Sequence, residues 1–197
     1  PLVSVVTSRP MELLCMDFLG LEESKGKYVN VLVVTDHFTK MSWAFPTRNQ
    51  EAKTVAKLLV DHFVTNGWGI PERLHSDQGA SFEGKVISHL CTILGIKKSR
   101  ITPYSPQGNG QCERFNRTLL SMLKTLNTHE KSKWKDHVSA MAHAYNCMVH
   151  ESTGFTPFFM MFGRCPRLPL DIFLGKEEPV NLNSTAQSVR DTLHSAY

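Results

Sequence analysis

A chain of 197 residues, 41% hydrophobic and 20% charged, suits one domain with a real core plus a terminal appendage. No apolar run approaches the ~18 residues of a membrane span, and residues 1–10 lack the basic start and apolar centre of a signal peptide. The net charge of +4 is mild, and five scattered cysteines with no Cys-x-x-Cys pair argue against a disulfide framework or a zinc cluster and fit a reducing compartment.

Residues 1–10 contain two prolines and no periodicity, so an arm is expected over 1–9. The missing initial Met reads as a piece of something longer. From 11 to 19 every residue except Glu12 and Asp17 is apolar, which predicts a strand buried on both faces. An ionised Asp17 there is costly unless something compensates it. Residues 20–26 read as a turn. The β-branched run 28–35 predicts a second strand, and 40–45 a third, closed by Pro46. Short turns between them predict an antiparallel meander.

Asn49 is placed to cap a helix in which Ala52, Val55, Ala56, Leu59 and Phe63 recur at helical spacing. Gly67 and Gly69 end it, and Pro71 blocks continuation. A short strand over 73–75 leads to Asp77. Ser81 then caps a second helix with Phe82, Val86, Leu90 and Leu94 inward and Gly95 at its C-terminus. A fifth strand follows over 96–101. The order β-β-β-α-β-α-β predicts a mixed sheet with helices on its faces.

Residues 102–110 hold two prolines and two glycines and read as a flexing loop. A long helix is expected over 111–127, its apolar stripe made by Phe115, Leu119, Met122, Leu123 and Leu126. Glu113, Arg117 and Lys124 fall on another face. A last large helix is expected over 132–149, with Trp134, Val138, Met141, Tyr145 and Met148 inward. In the aromatic run 155–162, Thr156 and Pro157 predict a capped short helix that packs against the core or a second subunit. Residues 164–169 are extended by their prolines. The composition turns polar after Gly175, and 166–197 reads as an extension toward a further module, leaving 10–165 as the core domain.

Three acids from distant parts of the chain, Asp17, Asp77 and Glu113, suggest a divalent-metal site of the oxygen-ligand kind. Two ions roughly 3.5–4 Å apart can clamp an in-line displacement at phosphorus. Asp17, on the most buried strand, is the best bridge between them. Asp77 is expected to be the fixed partner and Glu113, behind its Gly/Pro loop, the one that moves. Taken alone, Asp77 fits a turn and Glu113 a first-turn acid favoured by the helix dipole. Asp36 is a rival ligand that reads as a turn residue, and His75 reads as a structural strand-end histidine. Between Lys97 and Lys135, nine basic residues face only Glu113 and Glu130. That imbalance fits a polyanionic partner and, equally, a solvated basic face.

Thirty-five residues separate Asp77 from Glu113. Around them stand His75-Ser76-Asp77-Gln78-Gly79, Thr102-Pro103-Tyr104-Ser105-Pro106-Gln107 and Glu113-Arg114-Phe115-Asn116-Arg117-Thr118-Leu119, followed by Ala144-Tyr145-Asn146 and Gly163-Arg164-x-Pro166-Arg167-Leu168-Pro169. This constellation, over about residues 8–170, resembles the catalytic core of a retroviral-type integrase of the gypsy-like LTR retrotransposon group. The resemblance implies an RNase H-like α/β fold, a five-stranded mixed sheet flanked by helices. It implies a polynucleotidyl transferase that processes element DNA 3′ ends and joins them to target DNA. It further implies two Mg²⁺ (or Mn²⁺) ions held by Asp17, Asp77 and Glu113, double-stranded DNA as partner and a homo-oligomer. A nuclear location follows, with a cytoplasmic stage before integration. Tyr104, Asn109, Gly110, Asn116, Arg117 and Lys124 match positions expected near DNA, and Asn116 also resembles the Asn that supports the metal shell. Leu120 departs from relatives that carry a second Lys there, a role Lys124 can take over. The reading from another class is a domesticated, non-catalytic module that binds DNA or protein; its need for three intact acids is hard to see. A general RNase H-like nuclease fits the acids but not the surrounding motifs.

Overall fold

The computed structural model describes residues 6–100 and 110–173. Five strands form one mixed sheet in the order β3-β2-β1-β4-β5. They are β1 (Leu13–Ser24), β2 (Tyr28–Asp36), β3 (Ser42–Thr47), β4 (Arg73–Ser76) and β5 (Lys97–Arg100). The first three make the expected antiparallel meander, while β4 and β5 run parallel to β1 and to each other. β1 continues to Ser24 instead of turning at 20, because β2 carries its pairing past a bulge between Gly20 and Ser24. The hairpin turns at Gly26 and Lys27, both at positive φ. Pro46 lies within β3, paired with Val31, where it was expected to end the strand. An edge strand tolerates a residue that donates no hydrogen bond.

The alternation of β1 explains its apolar run. Leu14 and Met16 join Leu32, Val34, Trp43 and Leu74 in a core covered by α1 (Ala52–Leu59), α2 (Ala80–Glu83) and α3 (Lys85–Leu94). Leu13 and Cys15 join Val31, Val33 and Ala44 on the opposite face, under α4 (Gly110–Lys124) and α6 (Val138–Asn146). Between α4 and α6 lies α5 (Thr128–Lys131). Full burial of each large side chain stabilises the fold by roughly 1.5–3 kcal/mol. On the α4 side Phe115 is 1% exposed and meets Tyr145 edge to face at 4.8 Å.

Three helices differ from expectation for local reasons. Asn49 does not occupy the cap position of α1, which is Glu51; its side chain instead accepts from Glu51 N and Thr54 Oγ1. The helix after Asp77 is broken at Gly84, so Phe82 faces inward before the break and Ile87 and Cys91 after it. Val86 turns outward at 39% exposure, and Gly79 and Gly84, not Ser81, precede the two helices. Gly84 is where these helices meet α1: a Cβ there would stand 3.0 Å from Ala52 Cβ. Gly95 takes the expected left-handed C-terminal conformation.

The long helix α4 stops at Lys124, and a reciprocal capping box between Asn127 and Glu130 starts α5. A single 3₁₀ turn, Trp134–Asp136, then precedes α6, which puts Ala142 in the core and leaves Met148 58% exposed. Helix α7 (Pro157–Phe162) starts as predicted: Thr156 Oγ1 accepts from Phe159 N, and Pro157 occupies the first turn. A short α8 (Pro169–Phe173) follows the extended segment and was not expected.

Candidate active site

Asp17 lies midway along β1, opposite Val33 and half-buried, on the face covered by α4. Its Oδ1 accepts from the Phe18 backbone N–H at 2.9 Å, and its Oδ2 accepts from Asn116 Nδ2 at 3.0 Å. Asp77 is the first residue past β4, whose last pairing is Met16 with Ser76. It therefore leaves the sheet alongside Asp17. Its exposed carboxylate accepts from Gly79 N at 2.9 Å, and a Cβ on Gly79 would come within 3.0 Å of that oxygen. Glu113 is exposed in the first turn of α4, one turn before Asn116.

Electrostatics ties the three together. Burial above all, helped by the negative charges of Asp77 and Glu113, pushes the Asp17 carboxyl up to about 6 against the opposing pull of the Phe18 N–H and the Asn116 amide. The expected convergence is nonetheless looser than a ligand shell. Among the described residues, no group of three His, Cys, Asp or Glu side chains is drawn together to hold a metal ion. The charges of Asp77 and Glu113 act against that of Asp17, Asp77 is held in its own turn, and Glu113 faces solvent.

Even so, the donor set fits a hard divalent cation. All three side chains offer carboxylate oxygen, and a cation removes the repulsion that Asp17 feels. Asn116 Oδ1 is buried and, among the described residues, has no hydrogen-bond partner, beside the acid to which its amide group donates.

The remaining sequence candidates separate. Asn116 is 9% exposed and its amide donates to Asp17, so it stands behind that acid with little surface of its own. Arg117 and Lys124 are exposed on α4, and Gly110 is its first residue. Tyr104 and Asn109 lie outside the described residues. Asp36, the rival ligand, is fully buried and spent on backbone: Oδ2 accepts from Met11 N, while Oδ1 accepts from Phe38 N, Thr39 N and the Thr39 hydroxyl. His75 is buried, faces Ser99 Oγ at 2.9 Å, and is held below its ordinary pKa by burial and by Lys98 and Arg73. Two residues next to Glu113 escaped the sequence reading. Gln111 donates to the His37 carbonyl, and the Cys112 thiol donates to Thr35 Oγ1. Nothing in their spacing signals these contacts.

Comparison with known proteins gives one consistent picture. Residues 7–106 match a family model described as Integrase core domain, and residues 94–151 match a second model of the same description. The chain is 36% identical over 170 residues to the Pro-Pol polyprotein of feline foamy virus, covering 86% of this chain and 14% of that protein. It is 32% identical over 169 residues to the Transposon Tf2-3 polyprotein of Schizosaccharomyces pombe, covering 84% and 12%. The chain thus spans a small fraction of these polyproteins. Among solved structures, the catalytic core domain of BIV integrase superposes with a TM-score of 0.60 at 24% identity, covering 78% of this chain and 95% of that one. A chain of the simian T-cell lymphotropic virus intasome, solved in complex with PP2A regulatory subunit B56 gamma, gives 0.67 at 19% identity, covering 90% and 62%. At these identities the superpositions establish the fold, which is RNase H-like.

Proposed function

The chain belongs to the integrase core domain family, and we propose that it is the metal-dependent polynucleotidyl transferase core of a gypsy-type element. In this reading it trims the 3′ ends of element DNA and joins them to target DNA. The observation that carries the proposal is the shared field of Asp17, Asp77 and Glu113, with Asn116 behind the first of them.

Asp17, Asp77 and Glu113 are the residues that would hold the divalent Mg²⁺ or Mn²⁺ ions. Bound there, divalent ions supply Lewis acidity and a nucleophile usable at neutral pH. The chain's own contribution is orientation. The Phe18 N–H and the Asn116 amide fix both Asp17 oxygens before any ligand arrives. The Gly79 N–H does the same for Asp77. Water attacks in the trimming step and the new 3′-hydroxyl in the joining step. Both are in-line displacements that form no covalent bond to the protein.

Arg117 and Lys124 supply exposed cations on the helix that carries Glu113, suited to phosphate contacts. Tyr104, Asn109 and Gly110 are assigned to the DNA end by the motif they belong to. Double-stranded DNA and further copies of the chain are the proposed partners, and the nucleus the proposed place of action.

The test is a Mg²⁺- or Mn²⁺-dependent strand-transfer assay on a branched DNA-end substrate. Several kcal/mol of transition-state stabilisation correspond to about two orders of magnitude or more in rate. Glu113→Gln is expected to lose at least that much; undiminished turnover in this variant refutes the assignment.

A further inference from the structure

The head of α4 is fastened to the end of β2 by two consecutive side chains. Gln111 Nε2 donates to the His37 carbonyl at 3.1 Å, and Cys112 Sγ donates to Thr35 Oγ1 at 3.7 Å. Glu113 is the next residue. The anchoring turn is itself rigid: Asp36 gathers Met11 N, Phe38 N and Thr39 N, and Lys40 Nζ donates to the same His37 carbonyl at 2.6 Å.

The Gln111 contact is made at a cost. An amide can present only its NH₂ to a carbonyl, so the bond to His37 aims Oε1 the other way. That oxygen is buried without a partner among the described residues. A buried acceptor left unsatisfied destabilises a fold, and an apolar side chain of equal length avoids the penalty. Packing alone therefore does not explain a glutamine here.

We propose that Gln111 is a positioning residue, tying the first turn of α4 to the Asp36-His37-Phe38-Thr39 turn and so setting where Glu113 stands relative to Asp17. This inference rests on the three-acid reading of the site. It accounts for a side chain with an unsatisfied buried oxygen that is nonetheless aimed at a turn held by Asp36.

Gln111→Met keeps the length and removes both amide groups. The full chain, titrated with Mn²⁺ alone and followed by thermal melting, is the assay. The variant is expected to melt at or above the wild-type temperature without cation. Its half-saturating Mn²⁺ concentration is expected to rise ~10-fold or more, the usual scale for removing a residue that orients a metal ligand. Strand-transfer turnover should fall with KM for DNA unchanged. An unchanged Mn²⁺ midpoint overturns the proposal, as does a variant that no longer melts cooperatively, which would mark Gln111 as a folding residue. The wild type and Asp17→Asn serve as the control pair. A wild type without any Mn²⁺-induced shift sinks the three-acid reading itself, and Gln111 falls with it. A wild-type shift lost in Asp17→Asn but untouched in Gln111→Met sinks the Gln111 proposal alone.

Discussion

Replacing Asp17 by asparagine is expected to stabilise the cation-free protein. The Asp17 carboxyl is pushed from its ordinary 3.8 up to about 6, first by burial and then by the charges of Asp77 and Glu113. At about 1.4 kcal/mol per pH unit the difference sets a ceiling of about 3 kcal/mol. Partial exposure to solvent reduces this to about 1–2 kcal/mol, or roughly 2–8 °C in melting temperature for a chain of this size. The amide keeps every hydrogen bond. Its oxygen accepts from Phe18 N, and its NH₂ faces Asn116, whose amide can flip to offer the orphaned Oδ1. The sign follows from linkage: a raised folded pKa gives stability that is fully present below 3.8 and lost as pH rises through about 6. The advantage of the variant should therefore vanish near pH 3.8 and be complete above about pH 6. Melting scans in chelator between pH 4 and 8 measure it. A variant less stable than wild type at pH 8, or equally improved at pH 4 and pH 8, refutes the reasoning. With Mn²⁺ present the order should narrow or reverse, since only the wild type gains a ligand.

Asp36→Asn should act in the opposite direction, because an amide NH₂ would face donors now satisfied by carboxylate oxygen. A loss of about 2–3 kcal/mol is expected in chemical denaturation, the same with and without Mn²⁺; cation-dependent loss would return Asp36 to the list of ligands. Gly84→Ala has an acceptable backbone, with φ at −66°, but sets its Cβ 3.0 Å from Ala52 Cβ. It should cost about 1–3 kcal/mol, and Ala52→Gly in the same chain should recover part of that in a double-mutant cycle. Burial, then Lys40 and Arg73, hold the His37 imidazole down at about 4 against an ordinary 6.5. A lowered folded pKa gives stability present above pH 6.5 and lost as pH falls toward 4. In denaturant titrations over that window His37→Gln should show a shallower acid-side loss than wild type; an identical slope would contradict this.

Much of the architecture was legible because its local and long-range signals agree. The β-branched run at 29–34 could be little else than a strand, and Gly95, Thr156 and Pro157 each sit where one backbone geometry requires them. The acids Asp17 and Asp77 stood out because burial or a strand-end position made them conspicuous. What remained hidden depends on contacts between distant segments. Gly84 reads as a tolerated helix glycine until Ala52 of another helix is set against it. Met148 is exposed because α6 ends at Asn146, two residues before it, and the apolar periodicity continues past that end without marking it. Gln111 and Cys112 reach residues more than 70 positions away, and the paired segment β2 carries no mark of that contact.

Pro46 has a bearing on assembly. β3 is an outer strand of the sheet, and Pro46 withholds a backbone donor from it. An incoming strand that tried to lengthen the sheet there would meet an interrupted ladder. Main-chain pairing along the outer side of β3 is weakened at that position.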